Sequence, residues 1–417
     1  MRRALISFLS IAVILLFSLS TFGMVEDVQV NTLSNGLTIL TKEIHNAPVI
    51  SMYVFYGVGS INEYGRITGI AHIVEHMMFK GSNNYGPNDI DKLIKSVGGS
   101  HNAYTTFDYT TYYINLPSNA IEIGLMIEAD RMGNSKMAAE DFATERFVIM
   151  EERRMRTDNS PYGTFWERYG QIIFPRHPYR NPIIGYMPDI ERITIDEVKE
   201  FYKKYYQPNN ATVVLVGDFE TKDILTKVKK YFGKIPKGPK IPKTHIPQEQ
   251  LKGERIIKLK DVRNKYYLGY YSFRIPTYDS DDFPILQTIP LIMARSHTAR
   301  LEKLVNDGLA LATSSNAMGG RDPRTIMFLM YGKSEEDLMK CEEFLFQEIE
   351  RLKNEPISDI ELEIAKNTLE ADYAFSVQDA SSIAEQIGYF HTIYELDYLK
   401  TIRDKYKNIT KADIQRV

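Results

Sequence analysis

Gly69-Ile-Ala-His72-Ile-Val-Glu75-His76-Met-Met-Phe79 is the stretch on which the reading of this chain turns. His72 and His76 are four apart, so on a helix their imidazoles lie one turn apart on one side. Glu75 stands three beyond His72 and shares that edge. Ile70, Ile73, Val74, Met77, Met78 and Phe79 are apolar, so this helix is expected to be buried on several sides. Three titratable side chains on such a helix need compensation, because unpaired polar groups are costly to bury. A divalent cation would supply it, and two histidines with one carboxylate form a ligand set of catalytic zinc that leaves a position for water. The order His-x-x-Glu-His also inverts the His-Glu-x-x-His zinc helix. The blander reading is a pair of core histidines satisfied by backbone groups.

A third ligand must come from elsewhere, and Glu145-Arg-Phe-Val-Ile-Met-Glu151-Glu152 is the best source. Glu145 and Glu152 are seven apart, two helical turns, and share a face that Phe142, Val148, Ile149 and Met155 are expected to make apolar. Glu151 is rotated about 100° from it. Spacing alone fits an ordinary solvated acidic helix equally well.

Working outward, 417 residues are too many for one ordinary domain,. The 51 basic and 54 acidic residues leave a net charge of -3, so no global field favours nucleic acid or an anionic membrane,. One cysteine, Cys341, rules out an internal disulfide framework or a thiolate metal cluster, and a metal must rest on His, Asp or Glu,. Met1-Arg2-Arg3, the apolar run Ala4 to Phe17 and small residues to Gly23 have the order of a signal peptide over 1–23,. A mature chain starting near Met24, exported to periplasm or exterior, is expected; an uncleaved leader would instead be a membrane anchor.

The remainder reads as two halves. Asn35-Gly36 signals a hairpin, Val49 to Val58 a strand, and Ala211 to Asp218 a strand closing a first domain over 24–233. Residues 234–250 carry prolines 236, 239, 242 and 247 among lysines and are expected to form an extended linker,. From Ile256 to Phe273 the alternation resumes and opens a second domain over 251–417. Ile193-Thr-Ile-Asp-Glu-Val198 is echoed by Ile409-Thr-Lys-Ala-Asp-Ile414, the first with Thr194 and Glu197 placed as a capping box,. Half one makes a further strand after that segment, so half two is expected to be truncated before its last strand. Cys341 falls in a helical stretch and is expected to be packed, and the remaining histidines read as surface or core residues.

With His72, Glu75, His76, Glu145 and Glu152 in place, the chain resembles the pitrilysin and mitochondrial-processing-peptidase family of inverted-motif zinc peptidases. Gly69 to Gly81 resembles the family signature throughout, and Gly98-Gly-Ser-His-Asn102-Ala103-Tyr-Thr105 resembles its substrate-pairing edge strand. The resemblance implies an α+β fold of two homologous domains, each a mostly antiparallel sheet covered by helices, together half of a clamshell. It implies one zinc ion per chain on His72, His76 and Glu152, with Glu75 as general base. Glu145 would orient a ligand, and Asn102 and Ala103 would bind the substrate backbone. The substrates implied are peptides and unfolded segments.

In one place the chain departs from that family. A Leu-Arg-x-x-x-Gly-Leu-Ala-Tyr run in its second half supplies an Arg and a Tyr that grip substrate. Here the run reads Leu304-Val305-Asn-Asp-Gly308-Leu309-Ala310-Leu311. Neither Val305 nor Leu311 can donate a hydrogen bond. The pattern resembles the zinc-bearing subunit of a heterodimer whose partner supplies the Arg and Tyr; alternatively, other residues of this chain do the gripping. A largely structural or assembly subunit is the competing function.

Overall fold

The computed structural model describes residues 25–241, 246 and 252–417. The leader and most of the Pro-rich part of the linker lie outside the described residues; 234–241 carry neither helix nor strand. The larger sheet has six strands: β1 (Gln29–Thr32), β2 (Thr38–Glu43), β3 (Val49–Tyr56), β4 (Ser100–Thr105), β5 (Thr110–Pro117) and β6 (Ala211–Gly217). Their order is β1-β2-β6-β3-β5-β4, and only β2 against β6 is parallel. The Asn35-Gly36 turn joins β1 to β2, with Gly36 at φ +88°. β4 is an outer edge, as its sequence implied.

Side chains alternate along β3, and both faces are buried. Ile50, Met52, Val54 and Tyr56 point into one apolar cluster, shared with the helices that carry the histidines. Tyr53 and Phe55 point into the other, together with Leu40, Val214 and Val216. That second cluster consists mainly of residues from the second half of the chain. The cover is the helix Ala380–Ile393, which lies across β3 and β6. Gly388 makes the close approach possible, because a Cβ there would sit 2.0 Å from the Phe55 ring. Residues from the second half thus close the core of the first.

The second sheet is smaller, with β7 (Tyr267–Ile275), β9 (Arg324–Gly332) and β8 (Ala310–Ala317) in the antiparallel order β7-β9-β8. The alternation from Ile256 begins a strand only at Tyr267. Ile256 is 72% and Val262 95% exposed, and the chain turns at Asp261, whose carboxylate accepts from the Arg263 N–H. Alternation becomes a strand only where a neighbour and a buried face are available. The echoed segments do the same local job: Thr194 with Glu197, and Thr410 with Asp413, each close a capping box at a helix start. Cys341 is buried in the helix Glu335–Asn354. No helix among the described residues is long and apolar enough to cross a membrane.

Candidate active site

The motif forms helix α1 (Ile70–Met77), with Ile70, Ala71, Ile73, Val74 and Met77 fully buried. Its start is fixed from outside the helix. Gly69 has φ +91°, and a Cβ there would meet the Ile184 carbonyl oxygen at 2.5 Å, so only glycine fits. The first N–H groups of a helix have no intrahelical partner. Here Gly69 and Ala71 donate theirs to the two oxygens of Glu63, at 2.9 and 3.0 Å. Glu63 is buried, and burial pushes its carboxyl well above the usual range.

Glu145 and Glu152 lie on α2 (Ala139–Arg153), which packs against α1. Phe142 and Ile149 are buried, but Val148 is 48% and Met155 68% exposed, contrary to the apolar face expected of them. At 100° per residue the buried stripe is centred between 145 and 149, and positions 148 and 155 fall about 100° to one side. Glu151 points outward and pairs with Arg154. Glu152 sits in the last turn of α2, just before a π-helical turn over Arg154–Asp158.

The structure brings His72, His76 and Glu152 together. Their ligating atoms all lie within 4.8 Å of one another. His76 Nε2 is 3.5 Å and His72 Nε2 3.9 Å from Glu152 Oε2. Two imidazole nitrogens and one carboxylate oxygen converging in this way are a donor set that would suit zinc,. The three groups fit that ion in charge as well. Burial, then the neighbouring His76, holds His72 down at about 4, so its imidazole is neutral with a lone pair to give. Burial also pulls His76 down, but hydrogen bonds to Glu145 and Glu152 outweigh it and raise the ring to about 9. In the absence of a metal, a proton on His76 thus balances the carboxylates. His72 Nδ1 is buried without a hydrogen-bond partner among the described residues, a desolvation cost that a strong bond at Nε2 would offset,.

Around this set every carboxylate has an assigned contact. Glu145, a carboxylate, can only accept, so His76 Nδ1 donates to its Oε1 at 2.9 Å,. Lys80 pairs with the other oxygen of Glu145. Arg156 forms an ion pair with Glu152 Oε1 at 2.7 Å, and Oε2 faces the histidines. Glu75 is 8% exposed; burial raises its carboxyl, and the Thr105 hydroxyl, which donates to Oε2 at 2.5 Å, opposes the rise. Asn102 is exposed and Ala103 half-buried on β4, and Asn102 Oδ1 accepts the Ala103 N–H at 2.9 Å.

Four residues here were not singled out from the sequence. Arg156 stands four beyond Glu152, so helical spacing could have found it, whereas Lys80 lies past the end of α1 and reaches Glu145 on α2,. Thr105 shares the parity of His101 and Ala103 on β4, the side facing α1. Glu63 acts through a loop contact and leaves no periodic signal. The histidines outside the motif are core or surface groups: His177 is buried and accepts the Tyr179 N–H, while His45 is exposed beside Asp218. Val305 is half-buried, and Leu311, 45% exposed, is the extra residue of a bulge in β8.

The chain is similar in sequence and in architecture to known proteins. Residues 38–184 match the insulinase (peptidase family M16) domain, and residues 192–369 match the peptidase M16 inactive domain. The zinc protease PqqE of Helicobacter pylori is 29% identical over 394 residues, 93% of this chain and 88% of that protein. A zinc protease of Rickettsia bellii is 27% identical over 94% of each chain. The crystal structure of a protease from Helicobacter pylori superposes with a TM-score of 0.88 at 29% identity, covering 94% of this chain and 95% of the other. The periplasmic protease PqqL from Escherichia coli has the same fold, with a TM-score of 0.78 at 19% identity, and this chain spans 46% of its length. The inverted histidine motif, the α+β architecture and these matches over both halves place the chain in the peptidase M16 family.

Proposed function

We propose that this chain is an exported zinc endopeptidase that cleaves peptides and unfolded segments, working as the zinc-bearing subunit of a heterodimer. The observation that carries the reading is the meeting of His72, His76 and Glu152 beside a buried Glu75 and an open sheet edge. His72, His76 and Glu152 would hold one zinc ion, which when bound acidifies water and polarises a peptide carbonyl. Glu145 holds His76 in the tautomer that presents Nε2, and Arg156 holds Glu152,. Glu75 takes the proton from water and delivers it to the leaving amine. Asn102 and Ala103, on the β4 edge that is unpaired among the described residues, would hydrogen-bond the substrate backbone as an added strand,. Val305 and Leu311 offer no donor to a peptide carbonyl, which is the ground for a partner subunit with the missing Arg and Tyr. The apolar leader and the periplasmic PqqL fold neighbour support export.

Glu75→Gln tests the reading. It should keep one zinc per chain while cleavage of unstructured peptides falls by about 10²–10⁴. Full activity in that variant overturns the assignment. A purified homodimer of the wild-type chain with full peptidase activity overturns the heterodimer.

A further inference from the structure

We infer that Thr105 is a positioning residue that fixes which oxygen of Glu75 carries the proton, so that the strand pairing with substrate also sets the general base. The inference rests on the peptidase reading above and goes beyond it. Thr105 Oγ1 lies 2.5 Å from Glu75 Oε2 and 3.3 Å from Thr110 Oγ1, and Thr110 Oγ1 lies 2.9 Å from the Val58 carbonyl oxygen. Each hydroxyl has one proton to give, and an ionised carboxylate can only accept. The Val58 carbonyl takes the proton of Thr110, and Glu75 Oε2 takes that of Thr105. With Glu75 ionised, Val58 O and Glu75 Oε2 can only accept, so the Thr105 proton points to Glu75 Oε2,.

That accounting reserves Oε2 and leaves Oε1 for chemistry. As a water O–H bond breaks, the proton goes to Glu75 Oε1 and the water oxygen forms its bond to the carbonyl carbon. When the C–N bond breaks, the Oε1–H proton passes to the departing nitrogen, and Glu75 is again ionised. A carboxylate free to rotate could take the proton on either oxygen and hold it away from the amine. Thr105 prevents this from two residues along the strand that carries Ala103. Among the described residues β4 pairs only with β5, which leaves its other edge open to a peptide. A peptide in register on that edge and the base held from the same strand therefore share one frame, and catalysis depends on alignments of this accuracy.

The test compares Thr105→Val and Thr105→Ser with wild type. Zinc content, kcat and KM on a quenched fluorescent peptide and crystal structures of the metal-free proteins are the readouts. Thr105→Val, which keeps the shape and loses the hydroxyl, should retain one zinc and near-normal KM while kcat falls about 10- to 100-fold. Its Glu75 carboxylate should leave the position seen here. Thr105→Ser should restore both the carboxylate position and kcat to within about fivefold. A Thr105→Val protein with wild-type kcat or an unmoved Glu75 overturns the inference. So does a Thr105→Ser protein as slow as Thr105→Val, which would assign the effect to the lost methyl. A fully zinc-loaded wild type, with its partner, that cleaves no peptide overturns the peptidase reading, and this inference with it.

Discussion

Replacing Glu145 by Gln keeps the shape of the side chain and removes its charge, and with it the ion pair to Lys80. The amide oxygen can still accept from His76 Nδ1, now 2.9 Å from Glu145 Oε1, and the side chain is 7% exposed, so its position is held by packing. A hydrogen bond to a charged group contributes about 1.5–3 kcal/mol and a neutral one about 0.5–1.5, so roughly 1–2 kcal/mol is lost. If that difference acts through the basicity of His76, zinc affinity should fall about 5- to 30-fold, the lower part of the range for groups that orient metal ligands. A second effect runs the other way. The carboxylate of Glu145 helps raise metal-free His76 to about 9, and a proton there competes with the metal,. Gln relieves that competition, so the affinity loss should be smaller at pH 7 than at pH 9. Competition with a chromophoric chelator at both pH values measures it. An unchanged affinity at pH 9 refutes the reasoning. A loss beyond about a thousandfold would make Glu145 a direct ligand instead.

Two other outcomes follow from geometry already given. Below about pH 9 the wild-type metal-free His76 holds a proton that zinc must displace, so apparent zinc affinity should climb close to tenfold from pH 7 to 8 and about fivefold from 8 to 9,. A flat profile, read by the same competition assay, would remove His76 from the ligand set. Gly388→Ala gains about 1 kcal/mol of helix propensity but forces its Cβ against the Phe55 ring, an overpacking worth about 1–3 kcal/mol,. Calorimetry should show a Tm lower by a few degrees that Phe55→Leu recovers; a raised Tm would show that the ring yields freely.

The candidate site was legible where its residues follow helical period. His72, Glu75, His76, Glu145 and Glu152 announce themselves because spacings of three, four and seven project onto one face. The same arithmetic misplaced Val148 and Met155, because a period fixes relative angles while the neighbouring helix decides where the stripe is centred. Glu63 and Thr105 reach α1 from a loop and a strand, and no spacing rule links them to it. The cover over β3 left a trace that went unread. Apart from Ser51, Val49-Ile-Ser-Met-Tyr-Val-Phe-Tyr56 is apolar at odd and even positions alike, the pattern of a strand buried on both faces,. Which helix supplies the second face cannot be read from that strand, since Ala380–Ile393 lies more than three hundred residues away.

That cover has a consequence for what a cut would do. Leu40, Phe55, Val214 and Val216 are wholly buried in the cluster built mainly from the second half, and each would gain about 1.5–3 kcal/mol from staying dry,. A nick between residues 234 and 250 severs one covalent bond and none of these contacts, so both fragments should migrate together until a denaturant parts them. A gene fragment stopping at 233 would present the bare face of β3 and β6 to water and invite aggregation. Supplying residues 252–417 in trans would then act as a folding partner, and the two pieces would complement each other as a split protein does.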